Sequence, residues 1–205
     1  PDCYIETIEF EYAFQLIQFL DSMFKLKPYF ISKFALNTLR IVIENKVDYG
    51  KKILAHTARN FVYEINEDMF PVVRVRPAVS EADITIVAYG GMADVAAACL
   101  EQIFAETDLK PILFIPSLIS DLPVDLITAS VETTGRLVVL EEGSAYGGIG
   151  SELIASVTEK VTTAFTAKRI AAHPVPIPSV KSLEQIVLPE KNRIIQEIKM
   201  TFQVS

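Results

Sequence analysis

Carboxylates and glycines crowd into one ten-residue stretch, Glu141 to Gly150 (EEGSAYGGIG), between an apolar run and an amphipathic one. Strand, glycine loop and helix in that order is the arrangement that cradles phosphate. The free N–H groups and partial positive charge of a helix N-terminus suit an anion. Two features oppose that chemistry here. Glu141 and Glu142 stand at the same end and would repel a phosphate, and the spacing GGIG matches neither GxGxxG nor GxxxxGK[ST]. The competing reading is structural: Gly147, Gly148 and Gly150 permit unusual φ values and a close helix–strand contact. The residues favour this second reading. The three glycines are kept as the candidates for an anion loop, with Gly90–Gly91 behind them.

No other group of residues carries a reaction. His56 and His173 are the only histidines, and neither has a companion at ligand spacing. Cys3 and Cys99 are too few for a disulfide framework or a four-cysteine zinc site. Cys99 falls in an apolar helical stripe and reads as a reduced core thiol. No GxSxG surrounds any serine. Catalytic residues and metal ligands are therefore assigned to none of the side chains.

The elements that must position the glycine loop follow from patterning. The chain has 205 residues, half of them apolar and 22% charged, which suffices for a sizeable core. Its formal charge of −7, with no Lys/Arg cluster, leaves no electrostatic footprint for nucleic acid. The first residue is Pro1 rather than Met, which suggests a fragment or a processed chain. The apolar run Ile8–Leu20 is broken by Glu9, Glu11, Gln15 and Gln18. It is too polar and too short to span a bilayer, and it lacks the basic flank of a signal peptide. A cytoplasmic protein with no membrane partner is expected, with an organelle matrix left open.

Residues 1–69 read as a helix-rich segment and residues 70–205 as an α/β domain. In the first part, Ala13, Leu16, Ile17, Leu20, Met23 and Phe24 follow the helical period, Phe10 and Phe14 widen the buried face, and Pro28 stops it. Leu39–Glu44 is a short strand, and Asn45–Met69 has few strong signals. From Phe70 the rhythm is regular. Strands are expected at FPVVRV, DITIVAYG, PILFIP, RLVVLEE and KRIAAH. Helices are expected between them: one with Met92, Val95, Ala96, Cys99, Leu100, Ile103 and Phe104 on a single face, one ended by Gly135, one over Ser151–Phe165, and a last one over Pro189–Phe202. Burying a large member of such a face contributes roughly 1.5–3 kcal/mol, and ordering each residue costs about 1–2 kcal/mol. Such helices persist only when docked on a sheet. Strands apolar on both faces, alternating with helices, imply a mainly parallel sheet covered on both sides. His173 opens a run, Pro174, Pro176 and Pro178, that should be extended.

PVVRVRP, ADITIVAYGGM, TTGRLVVLEEG, GGIGSE, PVPIPSVKSLE and LP, in that order, resemble the C-terminal domain of the transketolase-like beta subunit of thiamine-diphosphate-dependent 2-oxo acid dehydrogenases, of pyruvate or branched-chain type. The resemblance covers about Leu39 to Ile198, with IVIENKVDYGKK similar to the closing strand of a pyrimidine-binding domain. The nearest rival is the equivalent domain of transketolase or deoxyxylulose-phosphate synthase. The P-x-P-x-x-x-x-L-E run ending at Glu184 favours the dehydrogenase.

The resemblance implies a three-layer α/β/α domain with a mostly parallel five-stranded sheet containing one antiparallel strand. It implies an assembly role, with the glycine loop serving packing and subunit contacts. Thiamine diphosphate and magnesium would lie elsewhere in the full enzyme, between an alpha-subunit domain with a GDG motif and the pyrimidine domain. This chain has no GDG, and by itself it is expected to be inactive. A stand-alone small-anion-binding module is the alternative. Expected partners are the alpha subunit, the acyltransferase component and a second copy of the chain, in a homodimer or larger assembly that buries Phe10, Phe14, Phe19 and Phe24.

Overall fold

The computed structural model describes residues 60–68 and 70–204. The aromatic N-terminal segment with Phe10, Phe14, Phe19 and Phe24, the strand expected at Leu39–Glu44, Cys3 and His56 lie outside the described residues. Within them the chain forms β1 (Phe61–Ile65), β2 (Val72–Pro77), β3 (Ile84–Ala88), α1 (Gly91–Thr107), β4 (Pro111–Pro116), α2 (Val124–Thr134), β5 (Arg136–Ser144), α3 (Ile149–Lys160), β6 (Thr166–Ala172), α4 (Lys181–Val187) and α5 (Lys191–Phe202).

The strands join one sheet in the order β1-β2-β4-β3-β5-β6. β4, β3, β5 and β6 are parallel neighbours, β2 runs antiparallel to β4, and β1 runs antiparallel to β2. The five strands expected from the sequence are present with one antiparallel member, and β1 adds a sixth at the edge. β1 lies upstream of Phe70, where the sequence places the start of the α/β part. Its residues are half exposed, so it lacks the continuous apolar run that marks the inner strands. Glu64 of β1 faces Arg74 in register and accepts hydrogen bonds from Arg74 and from Arg76 Nε, the latter at 2.8 Å. That pair fastens the edge strand.

Alternation along the central strands sends side chains into two cores. Val138 and Leu140 of β5 join Met92, Leu100, Ile194 and Ile198 under α1 and α5. Leu137 and Val139 join Ile127, Val131, Leu153 and Val157 under α2 and α3. All five residues of β3 are buried. Its one polar member, Thr85, meets Ser130 Oγ at 2.8 Å and Thr134 Oγ1 at 2.9 Å, so α2 supplies its hydrogen bonds. The layering is α/β/α, as the two-faced apolar strands require.

Three helical details differ from the sequence pattern. Phe104 was expected on the buried face of α1 but is 41% exposed, because the stripe turns past it to Thr107. α3 starts at Ile149 and ends at Lys160 rather than spanning Ser151–Phe165. α4 occupies Lys181–Val187, just beyond the proline run, where no helix was expected.

Candidate functional site

Consecutive parallel strands lead the chain in opposite directions from β3: β3 to β4 on one side, β5 to β6 on the other. The crevice beyond the carboxyl ends of β3 and β5 is therefore the topological switch point, where open α/β sheets bind ligands. β3 ends at Ala88 and leads into Tyr89, Gly90 and Gly91. β5 carries Glu141 and Glu142 near its end, and α3 begins beside them. The sequence candidates Gly147, Gly148 and Gly150 are all brought to this edge.

The crevice is filled from within. Glu141 is 1% exposed. Its Oε2 accepts the Tyr89 hydroxyl at 3.1 Å and the Gly150 N–H at 3.3 Å. The first turn of α3 thus donates to the chain's own carboxylate, which occupies the position an external anion would take. Glu141 Oε1 is buried with no hydrogen-bond partner. It lies packed against the glycines: a β-carbon on Gly150 would lie 2.8 Å from it, and one on Gly148 would lie 2.7 Å from the carboxyl carbon. No L side chain fits between α3 and Glu141.

The three glycines divide the two tasks proposed for them. Gly147 has φ +72°, which a glycine adopts without strain. Gly148, at φ −75°, could be any residue by conformation and is glycine because of contact alone. An unusual φ therefore does not explain Gly148. On the opposite face of β5, Glu142 approaches the start of α1, where a β-carbon on Gly91 would meet its Oε1 at 3.0 Å. Adjacent glutamates of one strand thus address the N-termini of two helices in different layers.

Electrostatics reinforce the closure. Burial, followed by the charge and hydrogen bond of Glu141, raises the Tyr89 hydroxyl well above the usual tyrosine range. Tyr89 remains a neutral donor throughout the physiological range. Cys99 is fully buried, and burial pushes its thiol up to about 11, which makes it a core residue without nucleophilic character. Among the described residues no group of three His, Cys, Asp or Glu side chains could hold a metal ion. His173 is exposed and stands without a ligand set. No described helix is long and apolar enough to cross a membrane.

One neighbouring group was missed in the sequence. Arg169, on β6 beside Val139 of β5, donates from Nη1 to the Ala145 carbonyl and the Ser151 hydroxyl. It ties the glycine loop to the sheet. A cation leading directly into the apolar end of a strand, Arg169 before Ile170, Ala171 and Ala172, was the available signal.

The architecture defines a three-layer α/β/α module whose switch point is closed by its own carboxylate. The family described as the transketolase C-terminal domain matches residues 74–194, more than half of the chain, and the chain belongs to that family. It is 29% identical over 149 residues to the pyruvate dehydrogenase E1 component subunit beta of Staphylococcus aureus, covering 71% of this chain and 45% of that protein. The corresponding subunit of Staphylococcus epidermidis is 27% identical with the same coverage. The chain spans less than half the length of these relatives. Among solved structures, a split-gene transketolase, described as an inactive beta4 tetramer, superposes with a TM-score of 0.54 at 21% identity. It covers 61% of this chain and 41% of that one. This likeness concerns the fold.

Proposed function

We propose that this chain serves as a subunit-contact domain in the decarboxylating component of a 2-oxo acid dehydrogenase and has no catalysis of its own. The observation that carries this reading is the closed crevice. Glu141, Tyr89 and Gly150 occupy the position where a diphosphate would have to enter, and a buried carboxylate there repels one. A diphosphate does not fit this filled crevice, which supports thiamine diphosphate and magnesium being held by other parts of a full enzyme. The similarity to pyruvate dehydrogenase beta subunits supports a 2-oxo acid as the substrate class of the full enzyme.

A surface suited to assembly accompanies the closed site. Val175, Ile177, Val180, Leu183 and Ile186 are each between 46% and 69% exposed within one short segment. Glu184, amid them, keeps a buried Oε1 without a partner. Apolar exposure of this density marks contacts between chains.

Calorimetric titration of thiamine diphosphate with magnesium into the purified chain, alongside a pyruvate decarboxylation assay and sedimentation, tests the reading. It predicts no cofactor binding, no turnover and a dimer or larger species. Micromolar cofactor binding, or a monomer throughout, would overturn it.

A further inference from the structure

Two arginines among the described residues meet no carboxylate, an unusual condition in a chain of net charge −7. Arg136 begins β5, Arg169 sits midway along β6 opposite Val139, and each lines a cavity. Their surroundings differ in sign. Arg136 donates to the carbonyls of Asp83 at 3.1 Å and Thr134 at 3.5 Å, in a cavity of about 430 Å³. α2 and α5 both end there, at Thr134 and Phe202, so their carbonyls account for the cation and disfavour an anion.

From the middle of β6 the Arg169 side chain reaches the loop before α3 and its first turn, where it meets Ala145 and Ser151. Its cavity, about 460 Å³, is lined by Ser144, Tyr146, Gly147, Ser151 and Pro174 among others, with no acidic side chain among the described residues that line it. Only Nη1 of the guanidinium is engaged, and it meets two uncharged oxygens. Nε and Nη2 keep their donors, in the parallel geometry that matches a carboxylate or phosphate edge. Glu141 does not contradict this, because its carboxylate is buried beneath Gly148 and Gly150 and bonded to Tyr89. The larger cavity near the end of β4, about 630 Å³, shows the contrast. Asp68, Asp121 and Asp125 line it, and Lys160, the one cation among its described lining residues, is held by Asp125 at 2.6 Å.

We propose that the Arg169 cavity binds a small oxyanion, a phosphoryl or carboxylate group, through the guanidinium with help from the Ser144 hydroxyl; the Ser151 hydroxyl already donates to the Ala145 carbonyl at 3.4 Å. The site is separate from the closed switch point, and it does not depend on the assembly reading: a chain that fails to associate would still bind.

The test titrates inorganic phosphate and, separately, acetate into the full chain, followed by calorimetry and by NMR of the arginine side chains. Saturable binding that shifts the Arg169 signals is expected. Tighter binding of phosphate identifies a phosphoryl ligand, and tighter binding of acetate a carboxylate. Arg169→Gln should weaken binding about tenfold or more. Because Arg169 also anchors the loop, Ser144→Asp is the second variant. It preserves an acceptor for the Tyr146 N–H and puts a negative charge into the cavity, and it should weaken binding comparably with the unfolding midpoint unchanged. No saturable binding of either anion, or equal binding in folded Ser144→Asp, overturns the proposal.

Discussion

Two clefts open from the same edge of the sheet, one strand apart, and they are furnished oppositely. The crevice between β3 and β5 is closed by Glu141, which takes hydrogen bonds from Tyr89 and from the first turn of α3. The cavity over β5 and β6 is open and holds a guanidinium that meets only uncharged oxygens. Both lie beside the start of α3. The difference shows that a phosphate-loop topology specifies a preference for negative charge but not the source of that charge. Where the chain supplies its own carboxylate, the glycines become packing residues.

The largest effect is expected where the closed cleft has least room. In Gly148→Val a β-carbon would lie 2.7 Å from the Glu141 carboxyl carbon. Overpacking a filled site should cost about 1–3 kcal/mol. Urea unfolding should show the loss, with no ligand involved. A variant as stable as the parent would mean that Glu141 can swing out and that the cleft is not closed.

A smaller loss is expected from Tyr89→Phe, which removes one of the two donors to a buried carboxylate, at about 1–2 kcal/mol. The same variant sharpens the comparison through pH. Tyrosine in the unfolded chain ionises near pH ~10, whereas Tyr89 in the folded chain ionises higher. The folded state therefore retains its proton more tightly. The associated stability is complete below the unfolded value and is lost as pH rises from there through the folded value. Unfolding between neutral pH and strongly alkaline pH should show this decline in the parent and lack that component in Tyr89→Phe.

The smallest effect lies outside both clefts. Arg74 and Arg76 hold the Glu64 carboxyl below the usual range, so the pair stabilises above that range and is lost as pH falls through the lowered value. The three side chains are 32–40% exposed and screened by solvent. Glu64→Gln should cost under about 1 kcal/mol, less at high salt. A loss matching that of Gly148→Val would show that the edge strand, not the switch point, governs stability.

The inner strands were legible because short, β-branched apolar runs such as ITIVA and LVVL, bounded by turn residues, read as strands buried on both faces. β1 was not, since an edge strand half open to solvent needs no such run. α4 escaped because seven residues beside three prolines give too little period to read. For the site, the glycines and glutamates were visible, and so was the conflict between two carboxylates and a phosphate. What patterning could not show is that Glu141 and Glu142 point into different layers, each toward a separate helix start. That depends on the sheet's register and on where α1 and α3 begin. Arg169 was hidden for the same reason: its neighbours, Ala145 and Ser151, lie 24 and 18 residues away in the chain.

The central claim is that Gly148 is glycine because the Glu141 carboxylate lies against it. A double-mutant cycle isolates that contact. Gly148→Ala is measured by urea unfolding in the parent and in Glu141→Ala, with both single variants and the pair. The account predicts a cost of about 2 kcal/mol in the parent that falls to near zero once the carboxylate is gone. An equal cost in both backgrounds would contradict it, because the glycine would then answer to something other than Glu141.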